Sequence, residues 1–185
     1  MKLSLDKLEF KTINKNIFQI THDKETIKFW SPKIKIPFGI DNEYDKYFLR
    51  LELDEEDENI DGSKHIYFRK IINHLENLIK KKLDIDDIEF KSIIRKRPER
   101  MGEKINHKST ELLEFRIKKM KNSILTEIEY EDKENNYLKT IFDIPKQSYA
   151  KVLCEIYGYW DYRNENKSAN KIGLIVYINK IIVLK

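Results

Sequence analysis

Tyr47-Phe48-Leu49-Arg50-Leu51-Glu52-Leu53 decides the fold class. Along an extended chain Tyr47, Leu49, Leu51 and Leu53 point one way and Phe48, Arg50 and Glu52 the other. That period of two marks a strand with one buried face. Similar readings hold on either side, at residues 27–30, 34–36, 112–118, 124–130, 137–144, 151–159 and 171–184. Asp132-Lys133-Glu134-Asn135-Asn136 reads as a polar hairpin connection between two of them, and residues 163–170 as a second such loop.

One segment has a different period. From Lys64 to about Leu83, Phe68, Ile71, Ile72, Leu75, Leu78 and Ile79 recur at three- and four-residue spacing and form a single apolar stripe. Ser63 is the expected N-cap after the turn Asp61-Gly62, and Lys80, Lys81 and Lys82 complement the negative end of the helix dipole. Strands, one helix, then strands give a mostly β fold. An OB-like barrel is expected, with one long amphipathic helix between the third and fourth strands, or an α+β fold if the barrel is open. The helix is expected to cover one opening or face of the sheet. At 185 residues with no internal repeat, residues 1–185 read as a single OB-like domain.

Composition narrows the function. Five Gly and four Pro leave no low-complexity linker. The lone Cys154 excludes an intramolecular disulfide and a cysteine-based zinc site, and its apolar neighbours make it a small core residue. No signal-like or membrane-length apolar run is present, so a soluble, intracellular protein without membrane contact is expected. Its setting is host cytoplasm or a viral replication compartment if the source is viral.

Charge is unevenly spread. Residues 41–61 carry ten acidic and two basic side chains, a net of −8, while residues 91–121 carry eleven basic and four acidic, a net of +7. Two opposed surfaces say more about partners than the overall +4 does.

Several motifs fail on inspection. Starting a calcium loop at Asp57 places Gly62 correctly but puts Phe68 where a bidentate glutamate is required. His22, His65, His74 and His107 have no metal-ligand spacing, so no metal or cofactor is expected. Asp143, Glu127, Glu129 and Lys139 could converge across a 124–144 hairpin as a magnesium nuclease would need, but alternating charges on an exposed hairpin face are ordinary ion pairs. No catalytic residues are assigned.

The basic segment carries the functional signal. Lys91, Arg95, Lys96, Arg97 and Arg100 run into a loop held by Pro98, and Arg116 and Lys118 share one face of the next strand, followed by Lys119 and Lys121. Such a stripe reads either as a track for a phosphate backbone or as a solvated lysine-rich surface. Aromatics favour the first. Tyr157, Tyr159, Trp160 and Tyr162 cluster at a strand end, and Trp30 ends another. Tyr157 and Tyr159 fall opposite Val152, Cys154 and Ile156; if the latter face is core, both tyrosines are displayed outward, where rings beside cations stack bases. Trp30 fits stacking and core packing equally.

Trp30-Ser31-Pro32-Lys33-Ile34-Lys35-Ile36-Pro37-Phe38-Gly39-Ile40 resembles a segment near the start of small proteins of large nucleocytoplasmic DNA viruses, themselves similar to the OB-fold single-stranded DNA-binding proteins of phages. Cys154-Glu155-Ile156-Tyr157-Gly158-Tyr159-Trp160, with residues 171–184, is similar to that family's final strands. The resemblance implies a non-catalytic protein that coats exposed single strands, DNA above RNA, in replication, recombination or genome packaging. It adds Lys33 and Lys35 to the nucleic-acid-binding set. Phage proteins of this type usually end in an acidic tail, whereas this chain ends Ile181-Ile182-Val183-Leu184-Lys185. The loop from Asp54 to Asp61 would have to supply that element and is a candidate site for a basic protein partner. The alternative function is a structural or scaffold protein of a viral particle or replication compartment, forming homo-oligomers through sheet edges.

Overall fold

A computed structural model of the chain describes residues 3–43, 46–53, 61–96, 111–121, 123–131, 140–163, 165 and 171–184. Two long strands, β13 (Ser148–Asp161) and β14 (Ile172–Leu184), form an antiparallel ribbon on which the rest is assembled. One edge of β13 takes β4 (Ile34–Ile36), β3 (Ile27–Trp30) and β2 (Ile17–His22) in succession, and β2 carries the edge strand β1 (Leu8–Asn14). The far edge of β14 takes β12 (Glu127–Tyr130), β9 (Glu111–Ile117) and β7 (Phe90–Lys91), all parallel to it. β6 (Lys46–Glu52) bridges β4 and β9, so β13, β4, β6, β9 and β14 close a five-stranded barrel. β5 (Ile40–Glu43) and β8 (Ile94–Lys96) extend it beside β6 and β9, and β10 (Lys119–Met120) and β11 (Ser123–Ile124) form a small separate hairpin.

The alternation in residues 47–53 is realised at its three leucines, while Phe48 and Glu52 on the other face are buried as well and Tyr47 is only half-buried. Leu49, Leu51 and Leu53 point into the barrel with Leu113 and Phe115 from β9, Val152, Cys154 and Ile156 from β13, and Val176 and Ile178 from β14, all at most 2% exposed. The free thiol of Cys154 lies in this core, where burial pushes its pKa well up. α1 (Gly62–Leu83) packs Phe68, Ile72, Leu75 and Ile79 on the barrel, with the Phe68 ring 5.7 Å from Phe29. His65 Nε2 donates to the Lys33 carbonyl at 2.8 Å, and the Glu76 carboxylate accepts from Ile93 N and Ser92 Oγ. The helix is thereby fastened at both ends of its buried stripe. Among the described residues no helix is long and apolar enough to cross a membrane.

Three expectations are corrected. The helix lies between β6 and β7, not between a third and a fourth strand, because β1, β2 and β5 precede it as well. β1 escapes a pattern search because, of its seven residues, only Leu8 is buried. The N-cap is Asp61 rather than Ser63: its Oδ1 accepts from Ser63 N, Lys64 N and the Ser63 hydroxyl, and with the Lys64 charge these hold its carboxyl near pKa about 2. Among the described residues the 124–144 hairpin is not formed, and its expected connection at residues 132–136 lies outside them. β12 instead pairs in parallel with β14, and Thr140 and Asp143 close a capping box around a short 3-10 turn, Ile141–Asp143, which satisfies locally the groups a strand would have paired. Asp143 is thus engaged in its own turn rather than in a ladder with Glu127 and Glu129, and Lys139 lies outside the described residues.

Candidate nucleic-acid interface

Cross-strand partners in a sheet share a face, so the register alone sorts the expected site residues. Trp160, Gly173 and Lys91 are consecutive partners across β13, β14 and β7. Tyr177, Arg116 and Phe48 are partners across β14, β9 and β6, and Arg95 on β8 lies opposite Leu112, two steps of the same face from Arg116. Lys118 continues that face and reaches Glu155, the partner of Tyr177. Tyr157 joins it through an edge-on contact with Tyr177, centroids 5.4 Å apart. Tyr157, Trp160, Tyr177, Lys91, Arg95, Arg116 and Lys118 therefore occupy one outward face of the barrel.

Two glycines shape this face. Gly173 lies under the Trp160 indole: a Cβ there would sit 2.5 Å from Cζ2 and 2.9 Å from Nε1, so the ring rests flat on the backbone. Trp160 also contacts Tyr162, at 5.5 Å. Gly158 lets β2 approach, since a Cβ would stand 1.9 Å from the Phe18 carbonyl oxygen.

Tyr159 is a correction. It is 4% exposed, stacked on Phe18 at 4.9 Å and 9°, with Phe10 edge-on at 5.3 Å, and burial raises its pKa to about 12. The cause is a β-bulge. Ile156 pairs with Val176 and Gly158 with Ile175, leaving Tyr157 as an extra residue. One inserted residue swaps the faces of everything after it, so Tyr159 returns to the side of Ile156.

The cations differ in freedom. Arg95 Nη2 lies 2.7 Å from Glu114 Oε1, and Glu114 also accepts from Arg50, which in turn binds Asp41 and Glu43. Lys118 Nζ lies 3.1 Å from Glu155 Oε2, and Asn179 donates to the same carboxylate at 2.7 Å. Burial opposes ionisation of Glu155, but Asn179 and Lys118 hold its pKa below the usual range. Lys91 has its pKa lowered, first by burial and then by the charges of Arg95 and Arg116. Lys96 ends β8, but its side chain, like all of Arg97 and of the loop from Asp54 to Ile60, lies outside what the structure describes.

Trp30, Lys33 and Lys35 occupy the same outward surface at the other end of the ribbon. Trp30, 47% exposed and opposite Leu153, borders a cavity of about 780 Å³ with Pro32, Lys33, Lys151 and Ile182. Ser31 fixes it there: its N–H donates to the Val152 carbonyl and its hydroxyl accepts from Val152 N, stitching β3 to β13. Lys33 Nζ stands 4.7 Å over the Tyr149 ring, and Lys35 lies between Tyr149 and Glu52 in register. From the level of Trp30 to Tyr157 is four residues, about 13 Å of strand. The expected residues form two clusters on one surface rather than one site.

Sequence reading missed Tyr177. Its alternation with Val176 and Ile178, shared with Asn179, is the signal that marks it as outward. Tyr177 and Arg116 also line, with Lys46, Tyr47, Lys119 and Lys121, a second cavity of about 310 Å³.

No family model matches the chain, and no curated protein matches it in sequence. Solved structures do match in fold. The single-stranded DNA-binding protein of bacteriophage Enc34, C-terminally truncated, superposes with a TM-score of 0.53 at 13% identity, covering 97% of this chain and 96% of that one. The Enc34 protein in complex with single-stranded DNA gives 0.52 at 13% identity, over 96% and 95%. A single-stranded DNA-binding protein encoded by bacteriophage T7 gives 0.50 at 10% identity, over 86% and 87%. At these identities the likeness is one of fold, and over nearly its whole length this chain has the OB-like barrel architecture of phage single-stranded DNA-binding proteins.

Proposed function

We propose that this protein binds single-stranded nucleic acid without catalysis, DNA above RNA, in viral replication, recombination or genome packaging. The observation that carries the reading is the shared outward face of Tyr157, Trp160 and Tyr177 with Lys91, Arg95, Arg116 and Lys118. Rings beside cations suit a sequence-tolerant binder, each ring stacking a base for about 1–3 kcal/mol while the cations release phosphate counterions. The fold neighbours favour the same reading, since two of the proteins with this architecture are single-stranded DNA-binding proteins of phages. Trp30, Lys33 and Lys35 extend the surface as a second contact region at the far end of the ribbon.

Fluorescence anisotropy of labelled single strands and duplexes of equal length, at about 50 and 200 mM salt, tests it. Tighter single-strand binding that persists at the higher salt is expected. Equal binding of both, vanishing with salt, would reduce the face to a non-specific basic surface and favour the scaffold role.

A further inference from the structure

The cavity where β6 begins and β9 ends differs from the rest of the outward face in one respect. Lys46, Arg116, Lys119 and Lys121 converge on it with no carboxylate in its lining, and among the described residues none of the four has an ion-pair partner. Arg50, Arg95 and Lys118 nearby are each held by acidic groups. Two rings complete the lining. Tyr177 is propped edge-on by Tyr157, and Tyr47 is propped edge-on by Phe142 at 5.1 Å, with Lys119 Nζ 5.4 Å over its face. The floor is the buried Ile117.

Four cations with no acidic partner among the described residues repel one another, and nearby Lys91 and Arg95, lowered in pKa first by burial, are lowered further by the charge of Arg116. An anion would relieve that repulsion, and two propped rings offer it a flat companion. A volume of about 310 Å³ admits one planar base with its sugar and phosphate but not a run of nucleotides. We propose that this cavity is a seat for a single nucleoside monophosphate unit, its phosphate held by Lys46, Arg116, Lys119 and Lys121 and its base against Tyr47 and Tyr177. The seat rests on the single-strand reading for its place in the path, as the point where a bound strand is anchored. It goes beyond that reading in assigning the anchoring to Lys46, Tyr47, Lys119 and Lys121, and in making the paired Arg95 and Lys118 secondary.

The test uses the full chain and the variant Lys46→Gln/Lys119→Gln/Lys121→Gln, with Lys→Arg at the same positions as the charge-retaining control. All three lysines are exposed, so unfolding temperature should not move. Thymidine monophosphate is titrated with tyrosine ring resonances as the readout, against inorganic phosphate alone, and a labelled oligothymidylate is titrated across salt. Expected is a thymidine monophosphate shift at Tyr177 and Tyr47 that phosphate alone reproduces weakly, lost in the Gln variant and kept in the Arg variant. The log–log salt slope for the strand should flatten by roughly 0.7 for each phosphate that is no longer neutralised. A Gln variant with unchanged strand affinity and slope overturns the seat while leaving strand binding intact. A mononucleotide response in a protein that shows no preference for single strands overturns the strand reading and leaves the seat.

Discussion

The bulge at Tyr157 makes neighbouring tyrosines do different work, and truncating them one at a time shows it. Tyr159 is 4% exposed and wedged between Phe18 and Phe10. Replacing a large buried aromatic with alanine removes its transfer energy and leaves a cavity, about 3–5 kcal/mol together. For a domain of this length each kcal/mol lowers the unfolding temperature by roughly 2–4 °C, so Tyr159→Ala should melt about 6–20 °C early. Tyr177 is half-buried, and its ring partner is Tyr157. Tyr177→Ala forfeits an edge contact of about 0.5–1.5 kcal/mol in stability, but a stacking surface worth about 1–3 kcal/mol in binding, or roughly 5- to 150-fold in Kd.

Thermal unfolding and oligothymidylate anisotropy on the same preparations separate the two effects. Binding is measured well below every transition, and Tyr159→Leu, which refills part of the cavity, guards against partial unfolding. The expected pattern is a crossed one: Tyr159 variants lose stability and keep affinity, Tyr177→Ala loses affinity and keeps most of its stability. A Tyr159→Ala protein that melts with the wild type but binds much more weakly would refute the bulge register and return Tyr159 to the interface.

Gly173→Ala should force the Trp160 indole off the backbone, costing about 1–3 kcal/mol and weakening strand binding; in a Trp30→Phe background, an unchanged Trp160 emission spectrum would contradict this. Lys118→Ala leaves the buried Glu155 with the Asn179 hydrogen bond and the more distant charge of Lys28, and should cost about 1–3 kcal/mol in urea unfolding at neutral pH. Because the folded pKa of Glu155 is depressed, its contribution is present above the ordinary carboxylate range and is lost as pH falls through the folded value; the variant should show a shallower acid limb, and an identical one would remove Lys118 as the cause. Glu76 has the opposite sign. Burial raises its pKa despite hydrogen bonds from Ile93 and Ser92, so its contribution is greatest below the ordinary glutamate range and fades as pH rises through the folded value. Glu76→Gln, which can still accept both bonds, should be at least as stable as the wild type at pH 8, and a loss above about 1 kcal/mol there would show that the ionised form is required.

What the sequence made legible was whatever a two- or three-to-four-residue period could carry. The core faces of β6, β9 and β14 and the stripe of α1 are where the patterns placed them. What it hid was set by pairing between distant segments. Nothing local distinguishes Tyr157 from Tyr159; the extra residue exists only because β14 offers Val176 and Ile175 as successive partners. β1 is hidden because an edge strand with one buried residue has no buried face to alternate. The 124–144 hairpin was misread because Thr140 and Asp143 satisfy each other locally, a competition that alternation of apolar residues does not register.

Charge shows the same limit in the site. Read as a list, residues 91–121 are a basic stripe in which every cation counts alike. Folded, the stripe meets carboxylates contributed by β9 and β13, while the acids of the 41–61 region that the structure describes are drawn to Arg50 within that same region. Asp41 and Glu43 hold Arg50, Glu114 holds both Arg50 and Arg95, and Glu155 holds Lys118. A phosphate must displace a carboxylate to reach Arg95 or Lys118, an exchange of one ion pair for another with little net gain. At Arg116, Lys46, Lys119 and Lys121, which no carboxylate among the described residues holds, it displaces only water and counterions. On the proposed strand-binding reading, the cations that matter are then those that no carboxylate among the described residues holds, and lysines that continue the stripe, Lys119 and Lys121, outrank its paired Arg95.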